Sequence, residues 1–489
     1  MKKILFIVAF AGCLISCSDW LDVNKDPNYP NTATPTLLIP AAQGAMTAQI
    51  GGIMYNYCGI FSQYIDQLPE CMQYNNETTY NLRVSSNLFD RSYSGLYAAA
   101  LQDLSIVLKS ETATKAEKFV ATVLRANIFQ VIVDQMDQAP YSEALEGFDI
   151  PSPKWENGKD IYDGILAELD EALESITPED QIEIGDLIFE NDMDQWIGYA
   201  KALELRILMR SSYAQDNSAR IKALVDAGGF FTGDVKFAAF ADEDAKRHPW
   251  YQINVNSLNT QNLSASYPLV TYLRITGDPR LAVLFKKASG SGDYSGIIPG
   301  ARVADASNAL KKANFSEPAL GPTTPVYFFL QSELQFFLAE AYLRFYNDDA
   351  KAKAAYEEGI IANFATRGLS SPEVIYENSA CKWQGDVNNK LELIGMQKWV
   401  GSAMLNNVES WAEIRRTGIP KASPYDGSEI NNNITLYTSG QLISPTINAL
   451  GKGNFPKRVF FPESATLYNL NTPKTDNIKL TDKVWWDKK

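Results

Sequence analysis

Apolar residues recur three and four positions apart over most of the chain, and the period breaks at clusters of Gly, Pro, Asn and Asp. Positions 38–65 form a long, partly amphipathic stretch that Gly44, Gly51 and Gly52 loosen. A second helix is expected over 89–108. The 114–134 segment has the broadest apolar face, made by Phe119, Val123, Ala126, Ile128 and Ile132. A turn, QAPYSEAL, follows at 138–145. Further helices are expected over 161–173, 194–212 and 218–227. The clearest unit is 332–364, where two helices flank Asn347-Asp348-Asp349. Ala339, Tyr342, Ala352 and Tyr356 fall where a tetratricopeptide (TPR) repeat puts its packing residues. The turn is one residue longer than the 34-residue consensus allows, and the terminal Pro is absent. Two stretches, 288–325 and 420–456, are filled with Gly, Ser, Pro and Asn. Structureless loops of this length are usually functional or disordered. With Tyr294, Tyr425 and Tyr437 inside them, they read as ordered loops laid on a helical scaffold.

The N-terminus has its own pattern. Met1-Lys2-Lys3 is a short basic region and 4–15 is almost wholly apolar. That run is too short to span a bilayer, which takes roughly 20 residues, but it has the length of a secretory signal's apolar region. Two cysteines end it. Cys13 has the small-residue approach Ala11-Gly12 but leaves a very short apolar run. Cys17 keeps the full run, with Leu14 three before it and Ser16 just before it. Cys17 is therefore the expected lipidation site, with 1–16 as a lipoprotein signal peptide; a plain secretory signal is the competing reading. One acyl chain binds a membrane only marginally, so stable anchoring needs multiple acylation. A polar segment with Pro27, Pro30 and Pro35 makes 17–36 an extended, lipidated tether. No later apolar run nears spanning length, so the rest of the chain is expected outside the bilayer.

The chain's 489 residues exceed what one compact core supports, so several domains or a repeat-like array of helices is expected. Its net charge of -14, without a Lys/Arg cluster, makes nucleic acid and anionic lipid head groups poor partners. Cys58, Cys71 and Cys381 remain after the anchor. A Cys58–Cys71 bridge and free buried thiols both fit. The single histidine, His248, leaves too few imidazoles for a His-based metal site. No nucleophile elbow or phosphate-cradling Gly-rich loop is present. No cofactor or metal is expected. The many tyrosines and tryptophans suit a binding surface.

These pieces, in order, resemble one family over nearly the whole chain: the SusD/RagB outer-membrane nutrient-binding lipoproteins. SCSDWLDVNKDPN (16–28) resembles the family's lipidated start. DQMDQAPYSEAL (134–145), DIYDGILAELDEAL (160–173), YAKALELRILMR (199–210), TGDPRL (276–281) and SELQFFLAEA (332–341) follow in order. IGMQKWVGSAMLNNVESWAEIRRTGIP (394–420) is the most telling, and the ending KVWWD (483–487) points to the RagB-type subgroup. Gln138-Ala139 stands where Gly-Asp usually precedes the Pro-Tyr turn. The resemblance implies a mainly α fold: four TPR-like helix pairs in an α-solenoid scaffold, long irregular loops, a few short strands and one nutrient-binding domain over 37–489. It implies a lipid anchor in the outer membrane, facing the cell exterior. It also implies a SusC-like TonB-dependent β-barrel transporter as partner, over which the protein sits as a lid. Within the family motifs, Arg206 and Arg210 are expected to pair with acids, WAEIRR (411–416) to tie a helix end to the core, and Asp278-Pro279 to start a helix.

A non-catalytic binder of oligosaccharide or peptide is the expected function; a surface glycoside hydrolase with paired carboxylates is the alternative. Ligand is expected on loops that join aromatics to amides, because sugar C–H faces stack on rings while amides both donate and accept. The first candidate is RHPWYQINVNSLNTQN (247–262), with Trp250, Tyr251, Asn254 and Asn256. Neighbours in an extended strand point to opposite sides, so one of Trp250 and Tyr251 can be core. The second is CMQYNNETTYNLR (71–83), with Tyr74, Asn76, Tyr80 and Arg83. Trp383 is the third. Each aromatic carries a competing core reading.

Overall fold

The computed structural model describes residues 34–83, 88–182, 185–257, 262–301, 312–474 and 478–489. The signal, Cys17 and nearly all of the tether lie outside the described residues.

Helices dominate. The expected first helix runs from Pro35 to Gln49, passes through a π-helical turn at Ile50–Met54 and resumes over Tyr55–Phe61. The irregularity falls at Gly52 (φ -106°, ψ -112°), a conformation that a side chain disfavours. The whole stretch, Pro35–Phe61, is long and apolar enough to cross a membrane, which the sequence pattern did not suggest. It packs as a core helix instead. Two of its buried polar side chains bond within the protein: Gln43 donates to Asp186 at 2.8 Å, and Asn56 accepts from the Trp250 indole at 2.9 Å. The 89–108 helix likewise contains a π-helical segment, Leu96–Leu101.

Four helix pairs form the scaffold. Lys115–Met136 packs on Gly158–Ser175, Met193–Ser211 on Ser218–Ala227, Gln331–Ala341 on Asp349–Thr366, and Val387–Ser402 on Asn407–Thr417. Thr114 starts the first with a capping box: its hydroxyl accepts from Glu117 N at 3.1 Å while Glu117 reaches back to Thr114 N at 2.7 Å. In the third pair Ala339, Ala352 and Tyr356 are fully buried, as the TPR pattern predicts. Tyr342 is only half-buried and packs on Tyr346 with ring centroids 5.3 Å apart. The long turn has a local cause. A π-helical turn at Tyr342–Tyr346 takes in the extra residue, Asn347 adopts a left-handed conformation, and Asp348 caps the next helix.

Short strands pair in twos: Ile65–Gln67 with Leu263–Ala265, Gln138–Pro140 with Trp155–Asn157 and Val235–Phe237 with Val326–Phe329, all antiparallel, and Ala422–Asp426 with Leu442–Ser444, parallel. The second pair holds the start of the expected 138–145 turn. The 420–456 stretch also carries a helix, Gly427–Asn432, so it is an ordered loop.

Buried ion pairs knit the helix pairs together. Arg206 grips Glu333 through Nε (2.9 Å) and Nη2 (3.0 Å), and Arg210 pairs with Glu409. Arg416 bonds Glu340 and Glu413, and Arg415 lies over the Trp411 ring while donating to the carbonyls of Asp134 (2.6 Å) and Lys457 (2.9 Å). Thus WAEIRR and both arginines of the 199–210 motif belong to the core. The helix expected at Asp278-Pro279 begins one residue later, at Arg280–Leu284. Asp278 bonds the Arg280 N–H and guanidinium together, which holds it outside the helix. Cys58, Cys71 and Cys381 are free thiols.

Candidate ligand-binding site

The two predicted loops meet. After Phe61 the chain turns into the strand Ile65–Gln67, whose partner Leu263–Ala265 follows the 247–262 segment. That segment is not the extended loop expected, because Pro249–Tyr251 is helical and Gln252–Ser257 a π-helical turn, so Trp250, Tyr251, Asn254 and Asn256 sit on helical backbone. Asp66 accepts from Gln67 N at 2.6 Å and from Gly300 N at 3.1 Å. Gln67 donates to Cys71 O at 2.7 Å and accepts from Tyr74 N. The Tyr74 hydroxyl donates to Asn254, which donates in turn to Trp250 O at 3.1 Å. Asn262 clamps the same junction: it donates to Gln73 at 2.7 Å and accepts from the Cys71 thiol at 3.2 Å. Burial raises the Cys71 thiol's pKa, with Glu70 adding to the shift, so the group is a neutral donor near neutral pH.

This geometry sorts the predicted residues. Trp250 is fully buried, its indole spent on Asn56, so it is a core pillar and offers no stacking face. Tyr80 is buried against Phe61 and Phe455. Asn254 and Tyr74 are buried and brace each other. Tyr251 is half-buried on the core's edge. Trp383 lies elsewhere, in the core of the third helix pair, packed on Tyr356 with its indole on Asp349 at 3.2 Å. These four aromatics, Trp250, Tyr74, Tyr80 and Trp383, stay inside because each has a helix or loop to brace. Asn76, Asn256, Arg83, Gln73 and Met72 are exposed. Asn256 donates to Asp244 at 3.2 Å and keeps its carbonyl available. Asn259 lies outside the described residues.

A half-exposed aromatic pair comes from a neighbouring loop. Tyr267 N donates to Ile297 O at 2.8 Å, and Ile297 N to Ala265 O at 2.9 Å, so the 294–301 loop continues the same surface. There, half-buried Tyr267 packs on Tyr437 with centroids 5.3 Å apart. A cleft of about 400 Å³ opens along Tyr267, Thr271, Arg274 and Ser295. Arg274 is held by Asp293 (3.1 Å) and by Tyr294 O (3.2 Å). Sequence reasoning picked out Tyr294 and Tyr437 only as loop residues and missed Tyr267. Its one local signal is the position just before Pro268 at a helix start. Among the described residues no group of His, Cys, Asp and Glu is arranged to hold a metal ion.

The fold is a helix-pair scaffold of TPR-like units that carries an amide- and tyrosine-bearing loop surface. Residues 27–438 match the sequence profile of the SusD-like family described as "Starch-binding associating with outer membrane", and the chain belongs to that family. Its fold is similar to that of a SusD homologue from Bacteroides thetaiotaomicron (TM-score 0.74, 20% identity, 94% of this chain and 100% of that one). A chitin-binding SusD homologue from Flavobacterium johnsoniae gives TM-score 0.73 at 20% identity, over 92% of this chain and 98% of that one. A SusD homologue from Bacteroides uniformis gives 0.73 at 17% identity, over 92% and 99%. No curated protein matches by sequence.

Proposed function

We propose that the protein is a non-catalytic, surface-exposed glycan-binding lipoprotein, anchored through Cys17, that hands oligosaccharide to a SusC-like TonB-dependent β-barrel as its lid. The observation that carries the glycan reading is the loop surface. The strand pair Ile65–Gln67 and Leu263–Ala265 ties together the segments that carry the outward amides Gln73, Asn76 and Asn256, and Tyr267, packed on Tyr437, follows the second strand. Hydrogen-bonding edges and ring faces together are what a neutral, hydroxyl-rich ligand needs. The chitin-binding relative and the family description agree with it. His248, the one imidazole, is buried between the rings of Tyr55 and Phe240, which takes it out of acid–base work but does not bear on carboxylate chemistry. Calorimetric titration with oligosaccharides of chitin and of starch tests the reading. Binding is expected to at least one series and to weaken by about 1–3 kcal/mol in Tyr437→Ala, from lost area and stacking. Binding of peptides with no binding of either glycan series would overturn it.

A further inference from the structure

We propose that a second, separate saccharide-binding cleft lies on the far side of the 437–441 loop, between that loop and the first half of the Val387–Ser402 helix. The proposal rests on the glycan reading above and extends it to a site with its own residues. The cleft has a volume of about 730 Å³, inside the range of roughly 300–1,000 Å³ typical of small-ligand sites. Its floor is apolar, made by Tyr272, Leu393 and Met396. Tyr272 is held in place by its hydroxyl against Cys381 Sγ (3.6 Å) and its ring against Trp399. Gly440 seals one wall: at φ +86°, its α-carbon lies so close to Tyr272 and Met396 that a side chain there would crowd both.

The polar groups above this floor are unspent. The Ser439 hydroxyl is buried with no partner. Thr438 and Gln441 use only backbone groups in the loop's own hydrogen bonds, with Gln441 N donating to Thr438 O at 3.3 Å and Gln441 O accepting from Tyr437 at 2.8 Å. Their side chains remain for a ligand. Gln384 donates to Ser379 O at 2.8 Å and keeps its carbonyl. Two hydroxyls and two amides over an apolar floor match the alternating C–H and O–H surface of a pyranose. Charge narrows the class further. Lys421 at the rim is paired with Glu392 at 2.6 Å, so nothing unpaired selects an ionic ligand, and a neutral sugar is the fit.

One experiment reads both sites. Methionine methyl groups carry the labels: Met396 lies in the cleft's floor and exposed Met72 stands on the loop surface. In methyl-labelled protein titrated separately with chitotriose and maltotriose, the Met396 resonance is expected to shift saturably with at least one sugar. Gln441→Ala, which removes no bond within the protein, is expected to weaken that response about tenfold and to leave the Met72 response unchanged. A shift at Met72 with none at Met396 would overturn the second cleft while the glycan reading stands. No shift at either methyl would remove both. A Met396 response unaffected by Gln441→Ala, or reproduced equally by trialanine, would also overturn the cleft as a saccharide site.

Discussion

His248 shows how one residue's surroundings set its chemistry. Its Nδ1 accepts from Trp250 N at 3.1 Å as a helix cap, and the rings of Tyr55 and Phe240 enclose it. Burial lowers its pKa to about 3. The sign follows from that direction. Between pH 6.5 and about 3 the unfolded chain holds a proton that the folded one refuses, so stability is full above pH 6.5 and falls as the pH drops. The slope is at most about 1.4 kcal/mol per pH unit. His248→Asn keeps a capping acceptor and removes the titration, so denaturant melts at pH 5 and 6.5 should differ less in the variant than in the wild type. An unchanged difference would assign the pH dependence to other groups. Trp250 is the companion case. Trp250→Ala should lower stability by about 3–5 kcal/mol through the cavity it leaves while glycan affinity stays within twofold. A large loss of affinity with normal stability would return Trp250 to the site.

At the scale of elements, the helix pairs depend on their ends and on charges shared between them. Thr114→Ala breaks the capping box of Lys115–Met136 and should cost about 1 kcal/mol, measured by chemical denaturation. Arg416 sits between Glu340 and Glu413 with no exposure. Burial acts to raise the Glu340 pKa, but the guanidiniums of Arg416 and Arg344 override it and hold the carboxyl at about 2. Removing the cation leaves two buried carboxylates without their main partner. Arg416→Ala should therefore cost about 3–5 kcal/mol, far more than an exposed pair would. A loss below 1 kcal/mol would mean that the network relaxes around the gap. This arrangement also explains why a motif that resembles the family so closely at 411–416 lies away from the ligand surface: it joins the second, third and fourth helix pairs.

For the whole molecule, the anchor and the partner are coupled predictions. Cys17→Ala should release the protein from the membrane or leave its signal uncleaved, whereas Cys13→Ala should leave both unchanged; acyl mass on Cys13 in the mature protein would reverse the assignment. Affinity purification from gently solubilised membranes should recover a large β-barrel. Recovery of the lipoprotein alone, under conditions that keep other outer-membrane complexes intact, would count against the lid.

The local pattern was enough to place most of the helices and the 332–364 pair, whereas the fourth pair, Val387–Ser402 with Asn407–Thr417, was not read from it. Apolar positions at 114–134 and 332–364 and the Asn347-Asp348-Asp349 turn all act over a few residues, so they are legible in the chain itself; the Thr114–Glu117 capping box was found in the structure. The ordered motifs also carried the family. The binding surface was legible only in part. Their shared composition of amides and aromatics marked 71–83 and 247–262 as separate candidates, and only the structure joins them. Which residues face outward could not be read, because Trp250, Tyr74 and Tyr80 are chemically as fit for stacking as Tyr267 and Tyr437. Burial decided between them, and burial depends on contacts from distant parts of the chain: Asn56 takes the Trp250 indole, Asn254 takes the Tyr74 hydroxyl, and the 294–301 loop leaves Tyr267 half in solvent. Only the tertiary structure brings those partners together.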